Sequence, residues 1–179
     1  MNVSEAVDIV EGFDSRADGP AWKSKELTLA LLRSSDAPFS RTQFAPGHVT
    51  CTALVLHPRN PSVLLMHHHR LRRWLLPGGH VEETDASLAD TASREAAEET
   101  NVRIDSARAP FLAGIDVHGI PPKKREPFHL HHDLIWCFRA VSDEIEVTEE
   151  APSVLWAGSA DLDRLNVAES IRNCILRAG

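Results

Sequence analysis

Apolar positions along the chain alternate between helical and strand spacing. Residues 22–33, WKSKELTLALLR, place apolar side chains at 27, 29, 31 and 32, which predicts a helix stopped by Ala37-Pro38. Residues 1–20 read as a short helical or loose arm ending at Asp18-Gly19-Pro20. Residues 48–56 form a β-branched and apolar run that predicts a buried strand. A turn at His57-Pro-Arg-Asn-Pro61 leads to a second strand over 62–68, its expected hairpin partner. A helix is predicted at about 86–100, with Asp85 or Thr84 as N-cap and Asn101 after its last turn. Strands are expected around 110–117, 129–141 and 152–157, then helices over 160–165 and 167–177. This mixture, with two hairpins, predicts an α/β fold in which helices sandwich a mixed sheet.

Bulk properties narrow the function class. At 179 residues the chain suffices for one domain with a full core. A net charge of -7 disfavours non-specific binding to nucleic acid or an anionic membrane. No apolar run approaches the ~18 residues of a membrane-spanning helix. The start, MNVSEAVDIVEGFD, lacks the basic and apolar regions of a secretory signal. Cys51, Cys137 and Cys174 are widely spaced and form no CxxC pair, which predicts reduced thiols and a cytoplasmic protein.

Candidate chemistry concentrates after Pro77-Gly78-Gly79, read as a turn where backbone approaches a ligand closely. Glu95, Glu98 and Glu99 lie three and four residues apart and project to one side of the predicted helix, beside Arg94. Carboxylates at this spacing repel one another. Either the face is simply solvated, or it holds a divalent cation that relieves the repulsion. Hard cations such as Mg²⁺ favour carboxylate oxygens and keep phosphates and water as remaining ligands. The basic runs His67-His68-His69-Arg70 and Arg72-Arg73 just before the turn favour the second reading, a device for holding a diphosphate.

The stretch Gly79-(five residues)-Asp85-(eight)-Arg94-Glu95-Ala96-Ala97-Glu98-Glu99-Thr100-Asn101-Val102 resembles the signature of the Nudix hydrolases. It departs from that signature at Asp85, in one extra residue before Arg94, at Ala96 and at Asn101. The resemblance implies an α/β/α sandwich around a mixed sheet over 45–179, with residues 1–44 a helical extension packed on it. It implies hydrolysis of a nucleoside diphosphate linked to another group, with Mg²⁺ or Mn²⁺ as cofactor. By motif position, Glu95, Glu98 and Glu99 would hold the metal together with the Gly78 carbonyl. Arg94 would steady a carboxylate, and one glutamate, Glu95 for example, would serve as base. Glu149 and Glu150, before a later strand, are further base candidates or else a solvated turn.

FHLHHDLIW, residues 128–136, puts His129, His131 and Asp133 on one strand face. A substrate pocket, a second metal site and plain structure are the competing readings of that face. His80 joins His129, His131 and Asp133 as a candidate substrate contact. Lys124 and Arg125 lie in what reads as a mobile basic loop over 118–127, which either closes on an anion or is simply solvated. Trp74, Phe128, Trp136 and Trp156 are candidate base stackers as well as core residues. The expected partner is a small diphosphate; membrane and stable nucleic-acid complexes are not expected, and a second copy could pair through the N-terminal helix. Two alternatives use the same fold: a nucleotide-diphosphate sensor without turnover, and a prenyl-diphosphate isomerase, which needs a reactive cysteine.

Overall fold

The computed structural model describes residues 1–15, 18–69, 71–149 and 151–179. In chain order the elements are α1 (Val3–Gly12), α2 (Gly19–Ser34), β1 (Gly47–Leu56), β2 (Val63–His68), β3 (Arg73–Leu75), β4 (Gly78–His80), α3 (Leu88–Thr100), β5 (Phe111–Ile120), β6 (His129–Arg139), β7 (Val154–Ala157), α4 (Ser159–Arg164) and α5 (Glu169–Ala178). The sheet is mixed, in the order β3-β2-β1-β6-β5, with β4 paired to β1 and β7 to β2. β1 and β6 run parallel from Gly47↔Leu130 to Leu56↔Arg139. β5 and β6 form an antiparallel hairpin.

Side chains alternate across the sheet and build a core on each face. From β1, Val49, Cys51, Ala53 and Val55 pack with Val10 of α1, Leu32 of α2, and Ala92 and Ala96 of α3. On the other face Leu54, Ile135 and Cys137 pack with Ile171 and Cys174 of α5. Helices therefore flank both faces, the sandwich expected from the sequence.

Three local expectations need correction. The first hairpin is vestigial: β1 and β2 share a single registered pair, Leu56↔Val63. β2 pairs instead with β3 and β7, and the vacated edge of β1 is taken by β4. The Pro-Gly-Gly segment is thus part of a strand rather than a free turn. Asp18-Gly19-Pro20 begins a helix rather than ending an arm. Asp18 is the N-cap of α2 and accepts from the Ala21 N–H at 3.0 Å, while Pro20 sits in the first turn, where no N–H is needed. Asp18 also accepts from Asn173 and Arg177 of α5, which joins the first and last parts of the chain.

Candidate functional site

The helix α3 carries the acidic cluster, and its packing face explains its orientation. Leu88, Ala92 and Ala96, four residues apart, are buried against the sheet and turn Glu95 and Glu98 away from the core. Ser87, not Asp85 or Thr84, caps the helix by accepting from the Asp90 N–H at 3.1 Å. Asn101 closes it in the left-handed conformation, φ 53°.

Asp85 has another task. Arg94 grips it with two hydrogen bonds, Nε to Oδ1 at 2.8 Å and Nη2 to Oδ2 at 3.0 Å. The Thr91 hydroxyl and the Glu82 N–H also donate to Oδ2, at 2.8 and 2.9 Å. The Arg94 bond holds the Asp85 carboxyl down at about 2, and Asp85 in turn raises the guanidinium pKa. The loop's extra residue therefore still delivers an acidic partner to Arg94.

The same guanidinium gathers the cluster. Its Nη1 donates to Glu95 Oε1 at 3.0 Å and Glu98 Oε2 at 3.1 Å, and Nη2 reaches the His80 carbonyl at 2.9 Å. Glu99, only 7% exposed, accepts from the Gly78 N–H at 2.9 Å. The two glycines are required by close approach. A Cβ on Gly79 would lie 2.5 Å from the Glu95 carboxylate, and one on Gly78 would lie 2.5 Å from the Thr52 hydroxyl. The side chains grade outward, from buried Glu99 through Glu95 at 16% exposure to Glu98 at 59%. Glu95, Glu98 and Glu99 offer hard carboxylate oxygens, the donor type that suits Mg²⁺ or Mn²⁺.

The C-terminal end of α3 holds a further acidic residue nearby. Thr148 Oγ1 donates to the Glu99 carbonyl and the Glu146 N–H donates to the Thr100 carbonyl, both at 2.9 Å. Glu149 is exposed beside this tether. Glu150 and Arg70 lie outside the described residues.

The histidines meet on the opposite sheet face. Gly79 faces Glu95, so its neighbour His80 points the other way. Register aligns Thr50 with His80 and with Asp133, and His48 with His131, which in turn faces His118. His80, His48, His131 and His118 thus form a band across four strands. The His48 ring lies 5.1 Å from that of His80 and 4.8 Å from that of His131. Burial lowers the pKa of His48, that of His80 to about 4 and that of His131 to about 2, so these imidazoles are neutral. His118, bonded to Asp116 at 3.0 Å, is raised instead.

Asp133 lies beneath this band. It is buried, and its Oδ1 accepts from Thr50 at 3.1 Å and from Thr52 at 2.8 Å. Burial raises its pKa despite those bonds. His129 is likewise buried, with Nδ1 donating to the Pro127 carbonyl at 2.8 Å. Besides His118, which it places at the start of the basic loop, the sequence singles out four members of this assembly but not His48, Thr50 or Thr52. Only the parallel register of β1 and β6 brings those three into it, and one sequence carries no direct sign of that register.

The basic segment corrects another expectation. Half of 118–127 is regular rather than loop: β5 continues to Ile120, and Lys123 and Glu126 bridge through two backbone hydrogen bonds of 2.8 Å. Lys124 and Arg125 form the exposed tip of this closed turn, Lys124 with φ 48°. Of the aromatic candidates, Trp136 is core, Trp156 donates to the Asp143 carbonyl at 3.0 Å, and Trp74 packs edge-on to His67. Phe128, 60% exposed, stands over Gly119 near the band. All three thiols are buried, and burial raises the pKa of each.

Comparison with known proteins bears on this arrangement. The family model described as NUDIX domain matches residues 46–177. The fold is similar to the cocrystal structure of the NUDIX domain of Shewanella oneidensis NrtR complexed with ADP ribose, at 20% identity and TM-score 0.56, covering 83% of this chain and 94% of that one. It is also similar to a NUDIX hydrolase from Nitrosomonas europaea, at 18% identity and TM-score 0.52, covering 73% and 86%. A comparison with curated proteins gives no match.

Proposed function

Because this chain belongs to the NUDIX domain family, whose hydrolases act on phosphoanhydride bonds, we propose that it is a Mg²⁺- or Mn²⁺-dependent pyrophosphohydrolase of nucleoside diphosphates linked to another moiety. The observation that carries this reading is the single guanidinium of Arg94 holding Asp85, Glu95, Glu98 and the His80 carbonyl together.

Glu95, Glu98 and Glu99, with the Gly78 carbonyl, would hold the cation. Such a cation polarises phosphoryl oxygens and acidifies a bound water. Arg94 is a positioning residue: it fixes two carboxylates and ties β4 to α3. Phosphoryl transfer depends on alignment and charge neutralisation more than on covalent chemistry, so this rigidity is itself functional. Glu95, in place of a ligand role, or Glu149 would take the proton of the attacking water. Lys124 and Arg125 supply exposed positive charge toward the diphosphate. His80 and His131, both partly exposed on the other face of β4, are candidate contacts for the linked moiety, and Phe128 offers a face for a base.

The ADP-ribose bound by the NrtR NUDIX domain makes that compound the first to try. The test is a panel of ADP-ribose, nucleotide sugars, dinucleoside polyphosphates and nucleoside triphosphates with Mg²⁺ or Mn²⁺. Phosphate-containing products are followed in the parent protein and in Glu98→Gln and Glu99→Gln. Cleavage of one compound, lost in both variants, is the expected result. Tight metal-dependent binding without cleavage of any compound would replace the hydrolase with a binding module. All three thiols are buried, which counts against the isomerase alternative, since its reactive cysteine must reach the pocket.

A further inference from the structure

The band of histidines contains a compact unit of three. One ring nitrogen each from His48 of β1, His80 of β4 and His131 of β6 lie within 4.8 Å of one another. His48 supplies a second, independent observation. It is 1% exposed, and its Nε2 is buried with no hydrogen-bond partner. Its other nitrogen, Nδ1, lies 3.1 Å from the Gln43 carbonyl. An Nδ1–H donating to that carbonyl leaves Nε2 with an unused lone pair, on a ring 5.1 Å from that of His80 and 4.8 Å from that of His131. A buried imidazole with an unused lone pair costs free energy unless something accepts it. A backbone carbonyl orienting a histidine through its far nitrogen is the usual support of a metal-ligating imidazole.

We propose that His48, His80 and His131 form a tri-imidazole site for a divalent transition metal of the zinc class, separate from the glutamate cluster. Imidazole nitrogens select Zn²⁺ and its neighbours, whereas the oxygen donors of α3 select Mg²⁺ or Mn²⁺, so the donor sets sort the two kinds of ion. Tetrahedral ligation at about 2.0–2.1 Å brings ligand nitrogens to roughly 3.3 Å apart. Ligation therefore requires side-chain rotation from a spacing of up to 4.8 Å, made most readily by the partly exposed His80 and His131. Three ligands leave a fourth position for water or a phosphate oxygen. In this role His80 and His131 act on an anion through the metal rather than as direct hydrogen-bond donors. The site also joins β1, β4 and β6, and the His80 carbonyl already accepts from Arg94, so the metal stiffens the strand that carries Gly78 and Gly79.

The test is equilibrium binding of Zn²⁺ alone to the metal-stripped full chain in excess Mg²⁺, with Co²⁺ absorption reporting geometry. One zinc per chain and a tetrahedral cobalt spectrum are expected. His80→Ala and His131→Ala should each weaken zinc binding by at least about tenfold, since loss of a supporting residue alone costs that much. Glu98→Gln and the exposed His69→Ala should not weaken it. His48→Ala risks the fold, so the conclusion rests on the two partly exposed positions and on cobalt bound to the unaltered protein. Zinc binding that survives both His80→Ala and His131→Ala, or that is lost in Glu98→Gln, overturns the proposal, as does the absence of stoichiometric binding. None of these readouts uses substrate, so the outcome is separate from that of the hydrolase reading.

Discussion

The acidic helix and the histidine band lie on opposite sides of β4, one residue apart, yet they are built in different ways. The first comes from one contiguous stretch, Gly78 to Asn101, whose residues meet through helical spacing and one short strand. The second is assembled from β1, β4, β5 and β6, and its members meet only through sheet register. A site of local origin depends on single side chains such as Arg94. A site of tertiary origin depends on the sheet that aligns it.

Removing the local hub should have the largest effect. Arg94→Ala removes the guanidinium that Asp85 and Glu95 share in a largely buried setting, where the Asp85 side chain is 4% exposed. Urea unfolding should show a loss of about 3 kcal/mol, with hydrolysis abolished. Arg94→Lys should recover part of the stability but not the bidentate grip. A loss under 1 kcal/mol would show that the guanidinium organises little.

Gly79→Ala attacks the contact between strand and helix. Its Cβ would press on the Glu95 carboxylate, costing about 1–3 kcal/mol and displacing a proposed ligand. The expected signature is a lower kcat with a weaker apparent affinity for Mn²⁺.

Asp85→Asn gives a pH-dependent effect. The folded carboxyl titrates at about 2 against an ordinary 3.8. Its stabilisation is complete above 3.8 and is lost as pH falls through about 2, so wild type and variant should differ by about 2 kcal/mol at pH 5 and converge below that window. A constant gap down to pH 2 would contradict the ion pair. The smallest effect is expected at the thiols: Cys51→Ala and Cys137→Ala should leave the hydrolysis rate nearly unchanged, and loss of turnover in a folded Cys variant would contradict a metal-hydrolase mechanism.

Legibility followed the same division. The glutamates, Arg94 and the left-handed Asn101 could be read because helical spacing is a property of adjacent residues. The helix start was misplaced because Asp85, Thr84 and Ser87 are all competent caps, and the choice follows from Arg94 claiming Asp85. The Gly-Gly segment read as a turn because its strand character depends on β1 offering an edge that β2 has left. Face alternation in 129–135 was legible from period two. The partnership of His48 with His80 and His131 was not, because it needs the pairing of three strands distant in sequence.

The central claim is that the gathered glutamates of α3 carry metal-dependent turnover. The most direct measurement is the Mg²⁺ dependence of hydrolysis of the best panel compound by the parent protein and by Glu98→Gln. Glu98 is the most exposed of the three carboxylates, so its replacement should perturb the fold least. The account predicts saturable Mg²⁺ activation in the parent and a kcat at least about a hundredfold lower in the variant at unchanged stability. Equal turnover in the two, or turnover that persists without divalent cation, would contradict it.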